Sequence, residues 1–143
     1  MGLPMGRVEL RGASPHLELL AQYGDIDIAL DTFPYNGGIT TLEALWMGRP
    51  VVAVEGVTMI ARQSAAILRA AGLEELVAPD ADAMVALAAK LAADPARLAR
   101  ISEGLRERVA ASGVCDAAAF TRTLESAYRA AWRAWCAGSP IGQ

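Results

Sequence analysis

Lysine is nearly absent from these 143 residues, histidine occurs once, cysteine twice, and aromatic residues make up only 6%. Each scarcity removes a class of function. With 13 Lys and Arg against 16 Asp and Glu, the formal net charge is -3, and the basic footprint of a nucleic-acid-binding protein is missing. Cys115 and Cys136 are too few for a disulfide framework and lack the spacing of a zinc site. Both read as structural thiols, and a reducing cytoplasm is the expected home. His16 is the only histidine a Ser-His-Asp arrangement has to draw on. No serine sits at a strained strand-to-helix turn, and there is no Gly-x-Ser-x-Gly elbow. No apolar run approaches the roughly 18 residues of a membrane span, so no membrane partner is expected. The start MGLPMGRVEL lacks the long apolar region of a secretory signal and reads as that of a cytosolic protein or of a fragment.

What remains is globular. Hydrophobic residues make up 54% and charged residues 20%. A chain of this length buries roughly 70% of its unfolded surface, so one domain over 1–143 is the expectation. From about 7 to 78, short β-branched runs alternate with helix-period segments, the pattern of parallel strands joined by crossover helices. Four strands are expected: Val8 to Arg11, Asp27 to Asp31, Val51 to Val54, and a short piece around Leu76 and Val77. The helices between them open at Ser14-Pro15, near Thr40 and near Met59, and close at Gly24, Gly48 and Gly72. From 79 to 138 the texture is helical. Met84, Leu87, Ala88 and Leu91 recur at helical spacing, and Asp94-Pro95 starts a helix bearing Leu98, Ile101, Leu105 and Val109. A last helix carries Phe120, Leu124, Tyr128, Ala131, Trp132 and Trp135 on one side, where the tryptophans read first as packing.

The segment with the most chemistry is DTFPYNGGITTLEALWMGRP, residues 31–50, at the seam between a buried strand and a helix. In an open parallel sheet, ligands lie outside the carboxyl ends of the strands, where loops lead into helix N-termini. Gly37 and Gly38 let backbone amides approach a ligand, the helix start adds free N–H groups and a positive dipole end, and the Thr40 and Thr41 hydroxyls add donors. A phosphate or diphosphate suits such a cradle best. Two plainer readings compete. Asn36-Gly37 is an ordinary turn signal, and Thr40-x-x-Glu43 matches a capping box in which Glu43 folds back on the cap amide. Asp31-Thr32-Phe33 has the opening of a phosphatase nucleophile loop, but Phe33 stands where that motif needs a second carboxylate.

The string DIDIALDTFPYNGGITTLEALWMGRPVV, the Gly56-x-Thr58-x-x-x-Arg62 stretch and FTRTLESAYRAAWRAW resemble the C-terminal part of the O-linked N-acetylglucosamine transferase family. That family includes the SPINDLY-like and bacterial tetratricopeptide-linked glycosyltransferases, and the likeness spans about Arg7 to Gly138. It implies an α/β fold, a partial Rossmann-like parallel sheet equivalent to the C-terminal half-domain of a GT-B glycosyltransferase, followed by a helical C-terminal region. It also implies a UDP-sugar donor, UDP-N-acetylglucosamine, and a protein serine or threonine as acceptor. No metal or other cofactor is expected, the nucleotide sugar being the substrate. The family's diphosphate-binding segment falls on Gly37, Gly38, Ile39, Thr40 and Thr41, next to Asn36. Its ribose-binding carboxylate falls on Glu43, and its uracil-contacting region on Ser14 and His16. The aromatic stack of some members meets Leu19 here.

The resemblance also implies what the chain does not carry. The other Rossmann-like domain, with much of the acceptor site, and two strands with a diphosphate-contacting lysine would precede Arg7. The single lysine, Lys90, reads as a solvated surface residue, and Trp132 and Trp135, on a helix that in the family packs back against the other domain, are expected on an exposed patch. With the two strands absent, the Val8 strand either moves beside the Asp27 strand or leaves an edge for another copy, so a homo-oligomer or a missing partner domain is expected. Three functions stay open: a donor-binding part inactive alone, a non-enzymatic interaction module, and a small transferase complete as a homodimer. No residue stands out as a general base, and the catalytic residues are unknown.

Overall fold

The computed structural model describes residues 4–138. Three parallel strands form its sheet: β1 (Ala29–Leu30), β2 (Val51–Val54) and β3 (Val77–Ala78), side by side in chain order. Ala29 pairs with Val51 and Leu30 with Val52, while Ala53 pairs with Val77 and Val54 with Ala78. The central strand VVAV is buried at every position, the mark of a parallel strand covered on both faces. Two crossovers join the strands through α2 (Ile39–Trp46) and α3 (Gln63–Ala70), and α1 (His16–Gln22) precedes β1.

Beyond β3 come α4 (Ala81–Ala92), α5 (Pro95–Ser102), α6 (Leu105–Ala110) and α7 (Ala117–Cys136). Asp80, Asp94 and Asp116 cap α4, α5 and α7 by accepting from the amides of Ala83, Arg97 and Ala119 at 2.8, 2.9 and 2.8 Å. Leu45 from α2, Leu68 from α3, Leu91 from α4, and Leu105 and Val109 from α6 meet the strands in one core with Leu73 and Leu76. Arg106 fastens α6 to α2. Its Nε donates to the Trp46 carbonyl at 3.0 Å, and its guanidinium lies 5.1 Å from the centre of the Trp46 ring.

Four expectations are corrected. Val8 to Arg11 is extended at Val8 but forms no strand: Arg11 is turned to Asp25 and Glu9 at 2.6 and 2.7 Å, and no neighbour offers a ladder. The helix expected from Asp94 through Val109 is broken at Gly104, whose φ of +71° lies in the left-handed region that ends α5 and restarts the chain as α6. The Met59 helix begins as a 3-10 turn, Ile60–Arg62, closed by the Ala61 amide on Thr58 Oγ1 at 3.2 Å. Trp132 and Trp135 are each 66% exposed, which overturns the packing reading and agrees with the exposed patch expected from the resemblance, and Phe120 and Tyr128 are also open. The apolar side of α7 is therefore not packed within the described residues, and Cys115 and Cys136 are exposed as well. Lys90 is on the surface, as expected. No helix among the described residues is long and apolar enough to cross a membrane.

Leu45 is fully buried, and Leu45→Ala should lower stability by about 2–5 kcal/mol through lost contacts and a residual cavity. Asp94→Ala, which only removes a cap, should cost about 1 kcal/mol. Urea denaturation followed by circular dichroism measures both; equal losses would mean that the core is not where the packing places it.

Candidate functional site

The loop from β1 to α2 and the start of α2 form the site at the carboxyl end of the sheet. Its geometry begins with Asp31, directly after β1. One carboxylate oxygen, Oδ1, accepts the Gly37 amide at 2.7 Å and so pulls the turn back over the strand end. Asn36 is 1% exposed, and its Nδ2 donates to the carbonyls of Thr32 and Val54 at 2.9 and 3.4 Å, tying the same turn to its own start after β1 and to the end of β2. Asp31 Oδ2 and Asn36 Oδ1 are buried acceptors without a partner among the described residues.

Glycine is required at 37 for space. A Cβ there would lie 2.7 Å from both Thr40 Oγ1 and Thr41 Oγ1 and 3.1 Å from Asp31 Oδ1. At Gly38 it would lie 2.8 Å from Gln63 Oε1, an atom from the start of α3. The chain is thus threaded between side chains of two helices and a strand end.

Gly38 is the N-cap of α2, and no side chain caps this helix. The Leu42 amide is the first to bond within the turn, to the Gly38 carbonyl at 3.2 Å, which leaves the amides of Gly38, Ile39, Thr40 and Thr41 without partners among the described residues. The capping box is not formed. Thr40 lies inside the helix, and the Glu43 carboxylate accepts from His16 Nε2 at 2.7 Å. Glu43 is largely covered, with 16% of its side chain exposed, and His16 is open.

The two threonines face different ways. Thr40 is exposed, and its carbonyl accepts from the Tyr23 hydroxyl at 3.2 Å. Burial, and then the charge of Glu43, raise the pKa of that phenol. Thr41 is 3% exposed and shares a hydrogen bond with Ser64 of α3 at 2.8 Å. Ile39 projects into solvent, and Ser14, two residues before His16, accepts from Gln22 at 3.1 Å. An apolar groove of about 270 Å³ adjoins the His16–Glu43 pair, walled by Leu20, Leu42, Trp46 and Val114.

Asn36, Gly37, Gly38, Ile39, Thr40, Thr41 and Glu43 therefore stand on one continuous turn and helix start, and α1 brings His16 to them. Ser14 belongs to the approach to α1, and Leu19 lines a separate hollow with Arg11 and Asp25. Two residues that hold the turn carry no site signal in the sequence, Asp31 and Ser64, and Gln63 of α3 lies against Gly38. Asp31 stood beside the motif and was weighed only as a nucleophile. Ser64 and Gln63 reach the site through the fold, and nothing in their own neighbourhood signals it.

Known proteins resemble this chain in sequence and fold. The profile of glycosyl transferase family 41 matches residues 1–124. A probable UDP-N-acetylglucosamine–peptide N-acetylglucosaminyltransferase SPINDLY of Petunia hybrida is 45% identical over 116 residues, 81% of this chain and 12% of that protein. The UDP-N-acetylglucosamine–peptide N-acetylglucosaminyltransferase of Caenorhabditis elegans is 26% identical over 140 residues, 98% of this chain and 12% of that one. A solved lysine-to-methionine mutant of the Thermobaculum terrenum O-GlcNAc transferase aligns with a TM-score of 0.82 and 46% identity, covering 93% of this chain and 26% of the other. The chain thus spans about an eighth of the length of the curated relatives it matches. With a profile match over most of its length and relatives well above 40% identity, the chain belongs to glycosyl transferase family 41.

Proposed function

We propose that the chain is the donor-binding part of an O-GlcNAc-transferase-like protein glycosyltransferase, which holds UDP or UDP-N-acetylglucosamine and does not transfer sugar alone. The observation that carries this reading is the uncapped start of α2, where free amides and the Thr40 hydroxyl stand beside the His16–Glu43 pair. A diphosphate on those amides satisfies orphan donors and meets the positive end of the helix dipole, while Glu43 accepts from ribose hydroxyls one turn along. Ser14 and His16 face the base, with the apolar groove beside His16 as its dry wall. No metal enters this reading, because amides and a hydroxyl take up the diphosphate charge. The names of the Petunia and Caenorhabditis relatives, which carry the same nucleotide sugar, support the choice of donor.

Inactivity alone goes with this reading: His16 and Glu43, the titratable pair at the seam, are assigned to the donor, which leaves no general base among the described residues for an acceptor hydroxyl. The open sheet edge supports the companion proposal of a homo-oligomer or a separate partner domain. Ala29 and Asp31 turn their amides to the Pro50 and Val52 carbonyls at 2.9 and 3.0 Å, so the amide of Leu30 between them points away from the sheet. The second reading, an interaction module without catalysis, is favoured by that edge together with the unpacked apolar side of α7.

Titration calorimetry should detect UDP with a dissociation constant on the order of millimolar or better. Thr40→Ala should weaken it several-fold through loss of one charge-assisted hydrogen bond. Glu43→Ala should weaken UDP about tenfold and leave inorganic pyrophosphate unaffected, since only the nucleoside touches the carboxylate. Chelation of divalent ions with EDTA should leave UDP affinity unchanged. No heat with UDP at millimolar concentration would remove the donor reading and leave the interaction module. Light scattering at micromolar concentration should give a mass above 15.0 kDa; a monomer would refute the oligomer.

A further inference from the structure

We propose that Ser64 is a positioning residue of the α2 cradle that locks the Gly37–Gly38 peptide, and that Thr41 serves the cradle through Ser64 without itself donating to the ligand. The inference rests on the donor reading for its consequence in binding, but its structural part stands on hydrogen-bond geometry alone.

The argument is a count of protons. Ser64 is fully buried, and its Oγ lies 2.9 Å from the Gly37 carbonyl and 2.8 Å from Thr41 Oγ1. A carbonyl only accepts, so the one hydroxyl proton of Ser64 goes to Gly37. The bond to Thr41 then needs the proton of Thr41, and the relay runs from Thr41 to Ser64 to the Gly37 carbonyl. Thr41 has no proton left for a diphosphate. Thr40, exposed one position earlier, keeps its own.

The Gly37 carbonyl belongs to the same peptide as the Gly38 amide. That unit is planar and trans, the one cis peptide among the described residues being Phe33–Pro34, so its C=O and N–H point in opposite directions. By drawing the carbonyl inward, Ser64 aims the Gly38 N–H outward, as the first free amide of the cradle. The lock matters because a peptide between two glycines rotates with little steric resistance. On the preceding side, Asp31 Oδ1 holds the Gly37 amide at 2.7 Å, so Gly37 is gripped at both of its polar groups.

The test uses Ser64→Ala, Thr41→Val and Thr41→Ser in the full chain, with nitrogen-15 NMR of the Gly38 amide and calorimetry with UDP and uridine. Ser64→Ala should shift or broaden the Gly38 resonance without nucleotide, weaken UDP about tenfold and leave uridine unchanged. Thr41→Val should cost about threefold or less, since Ser64 still reaches Gly37, and Thr41→Ser should match the parent. Ser64→Cys keeps the shape with a weaker donor and should fall between parent and alanine, which serves if the alanine variant unfolds. A tenfold loss in Thr41→Val with Ser64→Ala unaffected would make Thr41 a direct ligand donor and overturn the proposal. An unmoved Gly38 resonance in Ser64→Ala or, where that variant unfolds, in Ser64→Cys would overturn it too. If the parent chain ignores UDP, the donor reading fails by itself, and the Gly38 resonance still decides the role of Ser64.

Discussion

The 2.7 Å bond from the Gly37 amide to Asp31 and the 2.9 Å bond from Ser64 to the Gly37 carbonyl hold one residue between the end of β1 and the start of α3. The site depends on that constraint. A glycine pair is the most mobile backbone the chain can place at a strand-to-helix seam, and mobility would scatter the amides that an anion needs converged. Here the turn is glycine because space demands it, with threonine hydroxyls 2.7 Å from where a Cβ at Gly37 would lie, and it is rigid because its polar groups are tied elsewhere. Close approach and order, which glycine usually sets against each other, are obtained together.

The ties succeed because their other ends are anchored in the sheet. Asp31 follows β1, Asn36 bonds the last residue of β2, and Ser64 stands on a helix packed against that same strand. Glu55, just past β2, adds a bond of its own kind: Arg69 of α3 grips both of its carboxylate oxygens at 2.7 and 2.6 Å and holds its pKa below the ordinary carboxylate range. An exposed pair of this type contributes little to stability, yet it limits how α3 can slide along the strand, and with α3 go Gln63 and Ser64. The buried VVAV run is thus the rigid reference for a polar site a few residues away.

How much of this could be read from the chain follows the range of the interactions. Val51 to Val54 was legible because four consecutive β-branched and small apolar residues have few uses other than a central strand, and the helix limits at Gly48 and Gly72 were legible because their φ values of +77° and +68° need glycine. The seam was legible as a place, since glycines between a strand and a helix mark the binding end of a parallel sheet. The strand at Val8 was misread because alternation of Val8, Glu9, Leu10 and Arg11 reports only a willingness to be extended; pairing needs a neighbour, and Arg11 turns to Asp25 instead. The capping box failed for a related reason. Thr40-x-x-Glu43 satisfies a local rule, but a histidine 27 positions earlier claims the carboxylate. Ser64 was invisible for lack of any local signature, its meaning arising only when α3 is laid beside α2.

The same pair bears on how the site stays usable while it is closed on itself. A carboxylate has two oxygens and about four acceptor directions, and His16 engages one oxygen of Glu43 from an exposed position. The bond therefore orients the carboxylate and leaves capacity for further hydrogen-bond donors, whereas folding back on the cap amide would have turned it into the helix start and covered the donors there. With Glu43 held toward α1, the N-terminal amides of α2 stay open, and the Glu43 carboxylate stands one turn farther along the helix, away from those amides. On the proposed donor reading, placing the negative group at that remove lets one short helix receive an anion at its first turn and hydroxyl donors at its second.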